Sequence, residues 1–116
     1  MDVKKRRNAG NSSRHKTGKV IQTAILDYVR NHKYTELGFR KGSVLTYKIE
    51  VANERGVPDL LCCVNGCFVG IEIKGRGDKI TAIQVAQAER IITAKGESYV
   101  VKSLEEFKER IGELLC

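Results

Sequence analysis

The chain predicts an α/β (α+β) domain, a small sheet flanked by helices. Two short runs rich in β-formers, Leu60 to Val64 and Cys67 to Ile73, meet at Asn65-Gly66, the dipeptide favoured by a two-residue type I′ turn. Helical spacing of apolar residues appears on both sides of that hairpin, from about Thr17 to Asn31 and from about Thr81 to Lys95. A length of 116 residues suits one compact core rather than two. Hydrophobic content of 41% and a single proline argue against global disorder.

Taken in order, residues 1–16 form a basic arm without apolar periodicity, expected to be flexible until it meets a partner, and residues 17–116 form one domain. In the first helix Ile21, Ala24, Ile25 and Tyr28 share an arc. Val44 to Val51 reads as a strand, with Tyr47, Ile49 and Val51 alternating with Lys48 and Glu50. Asn53 to Gly56 connects it to the hairpin. In the second long helix Thr81 caps the start, Gly96 ends it, and Ile80, Ala88 and Ile91 share a core-facing arc with Gln84 in its middle. Tyr99 to Lys102 is a fourth strand, and Leu104 to Leu115 an amphipathic terminal helix with Leu104, Phe107, Ile111 and Leu114 on one side. No internal repeat is present.

Chemistry concentrates at one end of the hairpin. Gly56-Val57-Pro58-Asp59 leads into its first strand, and Glu72-Ile73-Lys74 closes its second. Paired strands would bring the Asp59 and Glu72 carboxylates to the same end. Alternation of side chains would send Glu72 and Lys74 to one face and Ile73 to the other. Two carboxylates beside one ammonium suit Mg²⁺ or Mn²⁺, hard cations gripped by one or two carboxylates while waters and substrate phosphate complete the shell. The plain alternative is a pair of solvated neighbours on a strand, since Asp2-Val3-Lys4 and Glu106-Phe107-Lys108 carry the same spacing. Gln84, polar on a core-facing arc, needs a partner: either a backbone group or the carboxylates at the strand end.

The run Gly56-Val57-Pro58-Asp59-Leu60-Leu61, then Gly66-Cys67-Phe68, then Ile71-Glu72-Ile73-Lys74, a glycine-rich link, Gln84, and Gly96 before Tyr99-Val100-Val101 resembles the PD-(D/E)xK nuclease superfamily, specifically its virus-type replication-repair (VRR-NUC) group. The resemblance covers about Lys48 to Leu104. It implies an αβββαβ restriction-endonuclease-like core, a mixed central sheet with helices on both sides. It also implies a divalent metal held by Asp59, Glu72 and the Ile73 carbonyl, with Lys74 and Gln84 as further catalytic residues, and hydrolysis of DNA phosphodiesters to 5′-phosphate and 3′-hydroxyl ends. Small viral members resemble Holliday-junction resolvases, which implies a homodimer acting on four-way junctions; flap and other branched DNA remain alternatives. One departure stands out: relatives bring a glutamate from the first helix, and this helix has none. Its Asp27 lies off the inward arc, and Gln22, Glu36, Glu50 or a second subunit could supply the missing group.

The formal net charge of +7 is uneven, because residues 1–19 hold seven Lys or Arg against Asp2, giving +6 and leaving +1 for the rest. Phosphate contacts by Lys4, Lys5, Arg6 and Arg7 in the arm would be blind to sequence and sensitive to salt. Lys48, Arg55, Arg76 and Lys79 are further candidate DNA contacts, the last two flanking a Gly75 to Asp78 loop small enough for a DNA backbone to approach.

No apolar segment follows the charges as in a signal peptide, and none is long enough for a membrane span, so a cytoplasmic, non-secreted protein is expected. Cys62, Cys63, Cys67 and Cys116 lack the spacing of a zinc or iron–sulfur site and read as small buried or half-buried thiols in a reducing compartment. Two other functional classes fit the chain: a non-catalytic DNA-binding module on the nuclease fold, and an interaction domain whose arm contacts RNA or an acidic protein.

Overall fold

The computed structural model describes residues 17–116, so the basic arm with Lys4, Lys5, Arg6 and Arg7 lies outside the described residues. The elements run α1 (Gly18–Arg30), a 3₁₀ helix (Lys33–Leu37), β1 (Val44–Lys48), β2 (Leu60–Val64), β3 (Cys67–Ile73), α2 (Ala82–Thr93), β4 (Glu97–Val101) and α3 (Leu104–Gly112). The described strands form one mixed sheet in the order β1-β2-β3-β4, antiparallel except for the parallel β3–β4 pair. That parallel pair needs a crossover, and α2 provides it.

Asn65 and Gly66 both take positive φ, 51° and 85°, as a type I′ turn demands. The turn fixes the register that follows, with Val64 opposite Cys67 and Leu60 opposite Ile71. Alternation then sorts the faces. Leu60, Cys62, Val64, Val69, Ile71, Ile73, Val44 and Val101 pack with Ile21, Ile25 and Tyr28 of α1 and with Phe107 and Ile111 of α3. Tyr28 and Phe107 meet edge to face, ring centres 6.4 Å apart. Thr17 and Ser103 cap these helices, their side chains accepting from the Val20 and Glu106 amides.

The opposite face is covered differently. The arc expected to bury Ile80, Ala88 and Ile91 is only partly covered: no α2 residue is fully buried, and Ile80 is exposed. The helix instead approaches the sheet closely at glycines. A Cβ on Gly70 would lie 2.8 Å from Pro58 Cγ and 2.9 Å from Ile91 Cδ1. Gly96 has a similar reason, since a Cβ there would meet Ile91 and Phe68. The left-handed residue after α2 is Lys95, φ 75°, rather than Gly96 as expected.

Three further expectations change. The first strand ends at Lys48 rather than Val51; beyond it Ile49 N still donates to Asp59 O, but Val51 is exposed. The fourth strand starts earlier, at Glu97. The all-thiol reading fails for one pair, because Cys67 and Cys116 are joined as a disulfide, with Cα atoms 5.7 Å apart; Cys62 and Cys63 are free. Among the described residues no helix is long and apolar enough to cross a membrane.

Candidate active site

The hairpin register, extended by one residue past Leu60–Ile71, sets Asp59 opposite Glu72 on the α2 side of the sheet. Pro58 is buried against Gly70 and delivers Asp59 to the strand end. Asp59 Oδ2 accepts the Ile73 amide at 2.8 Å, which fixes the carboxylate to the backbone of the neighbouring strand. Glu72 is the single buried charged residue among those described. Its Oε1 accepts from Gln84 Nε2 at 3.1 Å. Gln84 uses its other end as well, Oε1 accepting from Thr81 N at 2.9 Å while Thr81 Oγ1 accepts from Gln84 N, a capping box at the start of α2.

Burial pushes the Glu72 carboxyl up to about 8; a hydrogen bond and like charge from Asp59 push it the same way, and Lys74 pulls it down. Asp59 and Lys74 thus both act on the Glu72 carboxyl, from the facing register position and from just past the end of the same strand. Without a counter-ion such a pair keeps a proton; a cation can take that proton's place. Two hard oxygen donors at one strand end fit Mg²⁺ or Mn²⁺ bound partly by water and phosphate. Among the described residues no three His, Cys, Asp or Glu side chains are placed to share an ion, so a third carboxylate does not join the pair.

Beside Asp59 opens a cleft of about 330 Å³ lined by Gly18, Lys19, Gln22, Lys48, Asp59 and Ile73. The beginning of α1 thus lies over the strand ends, and Gln22 lines the same cleft as Asp59. Glu36 does not reach it: it accepts from Tyr28 Oη at 2.6 Å and pairs with Lys108 at 3.3 Å. Glu50 stands 4.0 Å from Lys48 at the rim, both well exposed. Of the remaining expected DNA contacts, Lys48 lines the cleft, while Arg76 and Lys79 are exposed on the loop after β3, whose Gly75 amide is capped by Asp78 Oδ2 at 2.9 Å. Arg55 is exposed on the loop held to α2, where its carbonyl accepts from Gln87 Nε2 at 3.0 Å.

No protein-family model and no curated protein matches the sequence. A solved structure described as "VRR_NUC domain" aligns with TM-score 0.57 and 22% identity, over 84% of this chain and 98% of that one. The chain has the VRR_NUC fold. Within that fold, sequence reasoning passed over Lys19. Its signal was present, because a lysine in the first turn of α1 shares the helix end with Gln22, but only the packing of α1 across the strand ends shows that both face Asp59.

Proposed function

We propose that the chain is a metal-dependent endodeoxyribonuclease that hydrolyses phosphodiesters in branched DNA, with four-way junctions as the preferred substrate. The observation that carries this reading is the juxtaposition of Asp59 and Glu72, facing each other across the hairpin at one strand end with Lys74 acting on Glu72. Likeness to a VRR_NUC domain supports it at the level of fold.

Asp59, Glu72 and the Ile73 carbonyl would hold Mg²⁺ or Mn²⁺, which supplies Lewis-acid polarisation of the phosphate and acidifies bound water. The chain's own groups do the rest. The Ile73 amide and the Gln84 amide aim one oxygen each of Asp59 and Glu72, so both carboxylates are positioned before substrate arrives. Lys74 orients the attacking water or offsets charge growing on the phosphoryl oxygens as in-line displacement proceeds. Products carry 5′-phosphate and 3′-hydroxyl ends. Residues 1–16, with six Lys or Arg against Asp2, join the described chain at Thr17, next to the Gly18 that lines the cleft. The arm is thereby attached where a DNA backbone would pass, and its contacts would be indifferent to sequence.

Resolution of a four-way junction takes two opposed cuts, which a twofold-symmetric homodimer supplies. A second reading rests on Gln22: an amide where a carboxylate would help grip a cation favours a non-catalytic DNA-binding module. Labelled junction, flap, duplex and RNA substrates incubated with and without Mn²⁺ separate the two. Cleavage confined to junctions with Mn²⁺ is expected; junction binding without cleavage under any metal would support the module.

A further inference from the structure

The cleft beside Asp59 has two cationic walls on separate elements. Lys19 comes from the first turn of α1 and Lys48 from the last residue of β1, and they line the cleft together with Gln22, Asp59 and Ile73. Lys19 forms no ion pair among the described residues, and the Lys48 partner, Glu50, stands at 4.0 Å with side chains 45% and 72% exposed, an arrangement that water screens almost fully. A Gly18 Cβ would lie 3.8 Å from Ile73 Cγ2, so the helix end rests against the site strand and both lysines are held at fixed elements rather than on a loop.

Two lysines and a glutamine lining one concavity offer the cationic and hydrogen-bond-donating groups that a phosphodiester takes. Lys74 and Gln84 approach Glu72 from the α2 side, whereas Lys19, Gln22 and Lys48 gather around Asp59. The two groups thus flank the carboxylate pair. One set serves the scissile bond, and the other is free for a neighbouring phosphate of the same strand.

We infer that the Lys19–Gln22–Lys48 cleft seats a second, non-scissile phosphate of the nucleic-acid backbone. This deepens the nuclease reading and rests on it for the identity of the strand. The seat holds the strand beside Asp59 and Glu72, so its loss weakens binding.

The test uses the full chain and a labelled four-way junction in EDTA, with binding followed by anisotropy across a salt series. Lys19→Gln with Lys48→Gln should weaken binding about tenfold and lower the slope of log K against log salt by about 2, one unit for each ammonium removed from the phosphate backbone. Lys33→Gln with Lys95→Gln, exposed lysines beyond the far end of α1 and after α2, should change neither. Thermal midpoints of both double variants establish that each is folded. Equal affinities and slopes for the two double variants would overturn the seat. Binding is read without cleavage, so the two readings fail separately. An inactive chain whose salt slope depends on Lys19 and Lys48 would remove the nuclease and keep the seat; an active chain indifferent to both lysines would do the reverse.

Discussion

Gln84 donates from Nε2 to Oε1 of Glu72 at 3.1 Å while its own oxygen caps α2 through Thr81 N. One amide thus ties the helix start to a buried carboxyl. Gln84→Ala removes both bonds, and the lost cap together with the unpaired Glu72 oxygen should cost about 1–2 kcal/mol in urea unfolding. Cleavage in Mn²⁺ should fall with it, because Glu72 is then free to turn from Asp59. A variant with full activity would separate the helix cap from the site.

Glu72 gives the fold a pH dependence of known sign. Burial, with Asp59 adding to it, raises the carboxyl to about 8, above the unfolded value of about 4.3. The folded state therefore binds this proton more tightly, and the stabilisation is fully present below about pH 4.3 and is lost as pH rises through about 8. In EDTA the chain should lose stability across that window relative to Glu72→Gln, which cannot ionise. Urea unfolding of both proteins at the two ends of the window measures the difference, and parallel pH profiles would contradict it. Because a bound cation displaces the proton, Mn²⁺ affinity by calorimetry should climb with pH and level off above about 8.

Gly70 leaves room for Pro58 and Ile91, whose atoms would stand 2.8 and 2.9 Å from an added Cβ. Gly70→Ala should destabilise by about 1–3 kcal/mol through overpacking. Relief by a shift of Pro58 would carry the adjoining Asp59 out of line. Activity measured well below the thermal midpoint should drop more than the folded fraction does, whereas an activity loss matching the unfolded fraction would show that Asp59 stays in place.

Cys67 and Cys116 join the start of β3 to the C-terminus across 49 residues of sequence. Opening that loop by Cys116→Ser should cost about 2–4 kcal/mol in the chain-entropy account. Reduction of the unmodified chain should give the same loss, and unfolding with and without reductant checks it. Cys62, buried with its thiol pushed up to about 11 by burial, should resist alkylation in the folded state.

The part of the fold legible in the sequence was the part set by local chemistry. Asn65-Gly66 fixes a turn, the turn fixes the register, and the register alone brings Asp59 and Glu72 together. Thr81 is a visible cap. What escaped depends on packing between distant segments. Helical spacing suggested that α2 buries an arc, yet the helix sits on Gly70 and Gly96, whose missing side chains set the approach and leave its apolar residues half covered. The 3₁₀ turn that buries Tyr34 has no periodicity long enough to read. The Cys67–Cys116 pairing joins residues that no spacing rule connects. Lys19 and Gln22 look like ordinary residues of the first two helical turns until α1 is laid across the strand ends.

The most direct measurement is single-turnover cleavage of a labelled four-way junction in Mn²⁺ by the unmodified chain, Asp59→Ala and Lys74→Ala, with junction binding measured alongside. Cleavage by the unmodified chain alone, at similar DNA affinity for all three, is the predicted result. Undiminished cleavage by either variant would contradict the assignment of Asp59, Glu72 and Lys74 as the hydrolytic centre.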